Sequence, residues 1–167
     1  AGVPFEIVPG VTAAVAVPAY AGIPVTHRTL ASTMTIVTGH EDPTKGTTVI
    51  DWPKLAASSG TLVFMMGMKT LPMIVARLLK DGRSPATPVA AVRWGTRADQ
   101  RTIIGTLQDI VVKAEQAKLE PPAVIVVGEV VRLREQLNWF EKRPLFGKRI
   151  VLTRAREQAR EFAQLLT

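Results

Sequence analysis

The 167-residue chain contains no cysteine, and that absence removes disulfide scaffolds, zinc–thiolate centres, iron–sulfur clusters and thiol nucleophiles together. Such a composition suits a reducing compartment, and a cytoplasmic setting is the expectation. Histidine is nearly as scarce: His27 and His40 are the whole set. They have no ligand spacing and no acidic cluster accompanies them, so no metal site is expected. No Ser-His-Asp order, nucleophile elbow or Walker loop occurs, and Gly147-Lys148 lacks the upstream glycine and following hydroxyl of a phosphate loop. Long apolar runs are missing too. Mean hydropathy is slightly positive at +0.17, yet residues 11–25, the longest weakly polar stretch, contain Pro18, Gly22 and Pro24 and are too short to span a bilayer. No membrane partner is expected. The chain opens on Ala1 with neither a methionine nor a charged-then-apolar export segment, and reads as a piece of something longer.

What is present is a modest excess of positive charge. Twenty-one Lys and Arg against 14 Asp and Glu give +7, which signals an anionic partner. Residues 141–167 hold seven bases and three acids, a net of +4, which leaves +3 for the first 140 residues. Nine aromatics are scattered without forming a stacking platform, and bases alternate with acids in the helical stretches. Nucleic acid is therefore not the expected partner.

Short β-rich runs alternate with helical patterns, which predicts an α/β domain. Strands are expected at 34–38, 61–66, 88–94, 101–106 and 123–127, and helices at 12–21, 52–58, 70–80, 107–117 and 130–140. Leu71, Ile74, Val75, Leu78 and Leu79 form one stripe before Lys80, Asp81 and Gly82 supply a stop. Only six residues, 95–100, join the third and fourth strands. That is too few for a crossover helix and implies an antiparallel pair. The sheet is expected to be mixed, parallel plus antiparallel, and flanked by helices. The chain divides into a main body at 1–140, a linker at 141–148 rich in bases with a Pro and a Gly, and one βα unit, strand 149–153 and helix 156–166. A single βα unit cannot bury its own faces, so it reads as the opening of a further domain.

Four of the apolar strands end in glycine, at Gly39, Gly67, Gly95 and Gly128. In open α/β sheets ligands sit beyond the carboxyl ends of strands, where a missing Cβ admits close approach, although glycine there is also ordinary turn punctuation. Gly10 opens a segment built of Ala, Val and Thr, whose small side chains allow either a ligand or a neighbouring layer to pack closely, with Thr12 as a candidate N-cap. Thr26-His27-Arg28 and Gly39-His40-Glu41-Asp42 are polar runs in which a His-Arg pair could face carboxylates; for either histidine taken alone, surface solvation is the commoner explanation.

Five segments carry a resemblance: EIVPGVTAAVAVPAYAGIPVTHR (6–28), TIVTGHEDPTK (35–45), LVFMMGMKTL (62–71), RWGTRADQRTIIGTL (93–107) and PPAVIVVGEVVRLREQLNWF (121–140). In order and spacing over about residues 1–140 they resemble the tetrapyrrole methylase family, and within it the branch that C-methylates uroporphyrinogen III. RPLFGKRIVLTRAREQAREFAQLL (143–166) is similar to the beginning of a uroporphyrinogen-III synthase. The resemblance implies methyl transfer from S-adenosyl-L-methionine to C2 and C7 of uroporphyrinogen III, through precorrin-1 to precorrin-2, on the way to sirohaem and cobalamin. S-adenosyl-L-homocysteine is the other product. It implies a cofactor cleft between two α/β domains and a homodimer. By the same resemblance Thr12, Ala13, Met66 and Gly95 match cofactor-contacting positions, and the backbone around Ala123 and Val124 is expected near the adenine. The substrate bears eight carboxylates, and His27, Arg28, His40 and Arg97 are the candidates to meet them. The family's first half, with its glycine-rich loop and its proposed acid and base residues, has no counterpart in the sequence. No catalytic residue is assigned, and the chain alone is expected to be inactive. A later precorrin methyltransferase of the same family, or a non-catalytic ligand-binding or interaction fragment, are the alternatives.

Overall fold

The structure is a computed structural model that describes residues 2–40, 48–153 and 155–166. Five strands make one sheet: β1 (Met34–Thr38), β2 (Thr61–Met65), β3 (Pro88–Arg93), β4 (Arg101–Thr106) and β5 (Ala123–Val127). Their order across the sheet is β1-β2-β5-β3-β4. β1 and β2 are parallel, while β5 runs antiparallel to both β2 and β3, and β3 to β4. The expected mixed sheet and the 88–106 antiparallel pair are both present. The five strands of the sheet lie within one residue of their expected positions.

β-branched and small apolar residues on both faces of β2, β3 and β5 bury the sheet twice over. Leu62, Phe64, Val89, Ala91, Ile125 and Val127 point to one side, packed by Trp52, Leu71, Ile74, Leu78, Ile110 and Ala114. These come from α2 (Trp52–Ala57), α3 (Leu71–Lys80) and α4 (Ile110–Gln116). Val63, Ala90, Val92, Val124 and Val126 point to the other side, packed by Ala14, Val17, Ala21, Val130 and Val131. These come from α1 (Ala13–Tyr20), its C-cap Ala21 and a 3-10 turn at Glu129–Leu133. Thr12 caps α1, accepting from the Ala14 N–H at 3.3 Å. α1 stops in a paired-carbonyl cap, with Gly22 N donating to Ala19 O and Ile23 N to Pro18 O. That cap needs φ +71° at Gly22, where a Cβ would also overlap the Leu137 carbonyl.

Two expectations need correction. The helix read over 130–140 is a 3-10 turn followed by the short α5 (Arg134–Leu137). The chain turns extended at Asn138 so that Trp139 and Phe140 reach Tyr20, with ring centroids 5.2 and 4.8 Å away. The strand read over 149–153 does not form. A strand exists only by pairing, and among the described residues none pairs with it. The following helix does form, as α6 (Arg156–Leu165). Among the described residues no helix is long and apolar enough to cross a membrane.

Candidate functional site

Because β1, β2 and β3 run one way and β5 the other, the carboxyl ends of the first three share an edge with the amino end of β5. A cleft of about 640 Å³ opens at that edge, on the α1 side of the sheet. Ala13 and Val17 of α1 line it together with Val92, Ala123 and Val124 of the sheet, and Pro121 and Pro122 close the approach to β5. Met65, Met66 and Met68 line the β2 end, and Trp94 and Gly95 the β3 end. The size is that of sites for small organic ligands, and an apolar floor with a few polar groups is their usual chemistry.

The backbone is unusual at this edge. Met66, Trp94 and Thr96 have φ of +56°, +47° and +73°, a region that costs a side-chain-bearing residue about 1–3 kcal/mol. Such outliers persist only where the surroundings hold them and cluster where ligands are gripped. Met66 is 63% exposed, so packing of its own side chain does not explain its conformation. Thr96 is held by Gln100, whose Oε1 accepts its N–H at 2.9 Å. Thr70 ties the β1 and β2 ends together, its hydroxyl donating to Gly39 O at 2.5 Å and lying 3.2 Å from Gly67 O.

The glycines that pointed to the edge serve it indirectly. Gly39 packs on the Gly67 backbone, Gly67 against Ile74 and Ile125, and Gly95 against Val17, so close that a Cβ at any of them would overlap its neighbour. Of these only Gly95 lines the cleft. Gly128 does not belong with them: β5 runs the opposite way, and this residue sits beside Gly60 and Thr61 at the other end of the sheet. The sequence pattern cannot reveal strand direction, which is why the fourth glycine misled.

Two cations, Lys69 and Arg97, line the cleft together with the imidazole of His40, and among the described residues no carboxylate joins them. Arg97 is partly engaged already, in a two-pronged pair with Asp99 at 2.9 and 3.1 Å, and its guanidinium lies 5.1 Å from the Trp94 ring centre. Arg93 covers the same ring at 4.1 Å. Glu41 and Asp42, read beside His40, lie outside the described residues. His27 and Arg28 are not among the lining residues. They sit in the turn before β1, where His27 N donates to Ala31 O at 2.8 Å and His27 Nδ1 accepts from Thr29 N at 3.3 Å. Thr12 is the cap next to the lining residue Ala13. Of the expected site residues the fold thus brings Ala13, Met66, Gly95, Ala123, Val124, His40 and Arg97 around one space.

Sequence reasoning passed over Lys69 and Trp94. A lysine two residues beyond Gly67, and the aromatic immediately before Gly95, were the available signals. What the cleft offers chemically is an apolar bed with a cationic rim, suited to a flat or branched organic ligand that bears carboxylates.

Comparison with known proteins gives the family. The family model for tetrapyrrole (corrin/porphyrin) methylases matches residues 1–111. An S-adenosyl-L-methionine-dependent uroporphyrinogen III methyltransferase of Methanosarcina barkeri is 54% identical over 134 residues, covering 80% of this chain and 52% of the relative. A uroporphyrinogen-III C-methyltransferase of Bacillus subtilis is 44% identical over 151 residues, 90% of this chain and 31% of the relative. Among solved structures, the uroporphyrin-III C-methyl transferase of Thermus thermophilus complexed with S-adenyl homocysteine superimposes with a TM-score of 0.65 at 35% identity, over 79% of this chain and 54% of that one. The chain therefore spans about half the length of the first and third of these and about a third of the second.

Proposed function

The chain belongs to the tetrapyrrole methylases, and on that premise we propose that it is the cofactor-edge portion of an enzyme that methylates uroporphyrinogen III at C2 and C7, yielding precorrin-2. The observation that carries the reading is the cleft of about 640 Å³ at the ends of β2, β3 and β5, lined by Ala13, Met66, Gly95, Ala123 and Val124. Those residues fit S-adenosylmethionine: a small apolar bed takes an adenine ring, and the lack of a Cβ at Gly95 lets Val17 of α1 pack directly on the turn that ends the bed. When bound, the cofactor supplies an activated methyl group on a sulfonium. Ala13 and Val17 provide close packing, Thr12 keeps the start of α1 in place, and Met66 presents backbone fixed by its conformation. His40, Lys69 and Arg97 hold carboxylates of the substrate at the rim. Methyl transfer asks little more of a protein than alignment of the reacting atoms. His27 and Arg28 enter the proposal as a second carboxylate-facing pair outside the cleft.

The proposed layout is the carboxyl-terminal part of a methylase domain over 1–140, a linker over 141–148, and the start of a synthase-like unit over 149–167, in a homodimeric cytoplasmic enzyme. Residues that accept and donate the proton would lie in the part of the relatives that this chain does not span. Calorimetric titration of S-adenosylhomocysteine into the 167-residue chain, and into a form extended upstream by the first methylase domain, tests the reading. Binding by the extended form, with precorrin-2 made from uroporphyrinogen III, is the expected result. Failure of both forms to bind would sink it, and turnover only of later precorrins would move the chain to another branch of the family.

A further inference from the structure

One wall of the cleft is formed by α1 and the 94–100 turn, and both are fastened from behind by a single carboxylate. Glu141 follows α5 in a coil, its side chain 17% exposed. Its Oε1 accepts from Gln100 Nε2 at 2.7 Å and from Thr102 Oγ1 at 2.6 Å, and its Oε2 takes the Arg134 guanidinium. Gln100 is 3% exposed. Its amide has two unlike ends: a carboxylate only accepts, so Glu141 claims the NH₂ end and leaves the carbonyl end facing the Thr96 N–H. Thr96 sits at φ +73° beside Trp94 and Gly95, so this bond holds a conformation the backbone does not choose unaided. On the other side Arg134 donates to Ala21 O at 2.5 Å, and Gln100 Nε2 lies 3.4 Å from Tyr20 O, which anchors the end of α1.

We propose that Glu141 is a positioning residue for the cofactor: through Gln100 and Arg134 it sets the distance between α1 and the Trp94–Arg97 turn, and with it the width of the cleft. The inference rests on the cleft being the cofactor site. It places a determinant of cofactor affinity on a residue that does not line the cleft.

The test uses the full-length protein as wild type, Glu141→Ala, Glu141→Gln and Gln100→Met. S-adenosylhomocysteine is titrated calorimetrically, Thr96 amide exchange is followed by NMR, and thermal unfolding is recorded alongside. Loss of a charged, buried acceptor should weaken binding in Glu141→Ala by about tenfold. The Thr96 amide should become exchangeable. In steady state the effect should fall on KM for S-adenosylmethionine, with kcat within about twofold of wild type. Glu141→Gln keeps an acceptor for Gln100 and should recover most of the affinity. A folded Glu141→Ala that binds as wild type does overturns the proposal. If that variant does not fold, Gln100→Met, which breaks the Thr96 contact without stranding a charge, decides: wild-type affinity there overturns it equally. Wild-type protein that fails to bind would defeat the reading of the site and this inference with it, whereas binding by wild type and variants alike would defeat only the inference.

Discussion

The two faces of the sheet solve the same packing problem with different residues. Behind β2, β3 and β5 on one side lie Trp52, Phe64, Leu71, Ile74 and Leu78, large side chains that fill the space under three helices. On the other side the layer is Ala14, Val17, Ala21, Ala90, Val124 and Val126, so thin that α1 approaches until Gly95 meets Val17. The cleft opens only on the thin side. Bulk gives a face stability by burial, while small residues give a face closeness, and a ligand can share that closeness. The first face is built to be full and the second to be adjustable.

The comparison can be broken by moving bulk across it. Leu78→Ala on the thick face leaves a cavity at a fully buried position and should cost about 2–5 kcal/mol, read as a lowered urea midpoint. Ala90→Leu makes the opposite error on the thin face, at another fully buried position, and should cost about 1–3 kcal/mol by overpacking. Unlike the first, it should also lower affinity for S-adenosylhomocysteine, because the displaced layer is the floor of the cleft. Equal ligand affinity in the two variants would show that the faces are not functionally distinct.

Gly95→Ala sharpens the point with a smaller perturbation. The new methyl meets Val17, pushes α1 and the turn apart, and should weaken binding about tenfold for roughly 1.4 kcal/mol of misfit. Val17→Ala in the same chain makes room and should restore it. A double variant no better than the single one would mean that Gly95 serves the ligand directly and not the close approach of α1.

The smallest effect lies on the thick face, at the start of α4. Asp109 accepts from Thr106 N at 2.7 Å and pairs with Lys113 at 2.7 Å. The hydrogen bond from Lys113 first, then that from the Thr106 amide, holds its carboxyl below the ordinary 3.8. A lowered folded value means that the stabilisation is present above the ordinary value and vanishes as pH falls through the folded one. The side chain is 42% exposed, so solvent screening leaves only a few tenths of a kcal/mol. Asp109→Asn should unfold slightly earlier than wild type at neutral pH, and the two melting curves should converge in acid. A gap that widens on acidification would reverse the assignment.

Much of this architecture was legible because its signals are local. Val, Ile and Ala alternate between two buried faces in 88–93 and 123–127, Leu71 to Leu78 recur at helical spacing, and Gly22 and Gly82 mark the ends of α1 and α3. What escaped depends on relations between segments. The run 149–153 has every residue preference of a strand and no partner among the described residues. The early stop at Leu137 goes with the packing of Trp139 and Phe140 on Tyr20, a contact between distant segments. The site was legible in outline, since a small-residue helix and glycine-ended strands do converge on it. Gly128 was misplaced with respect to the cleft, and His27 and Arg28 lie outside its lining, because chain direction and loop paths are not written in periodicity, and Lys69 carried no pattern of its own.

The order β1-β2-β5-β3-β4 also sets a timetable for synthesis. The central strand is the last one made, and it is inserted between two hairpin-sized pieces that precede it in the chain. Until residue 127 has left the ribosome, β2 and β3 each present an unpaired inner edge, apolar on both faces, and such edges invite pairing with other chains. The sheet closes in one late event, so any stall or cut before Ala123 leaves two sticky halves where a few more residues would have closed the sheet.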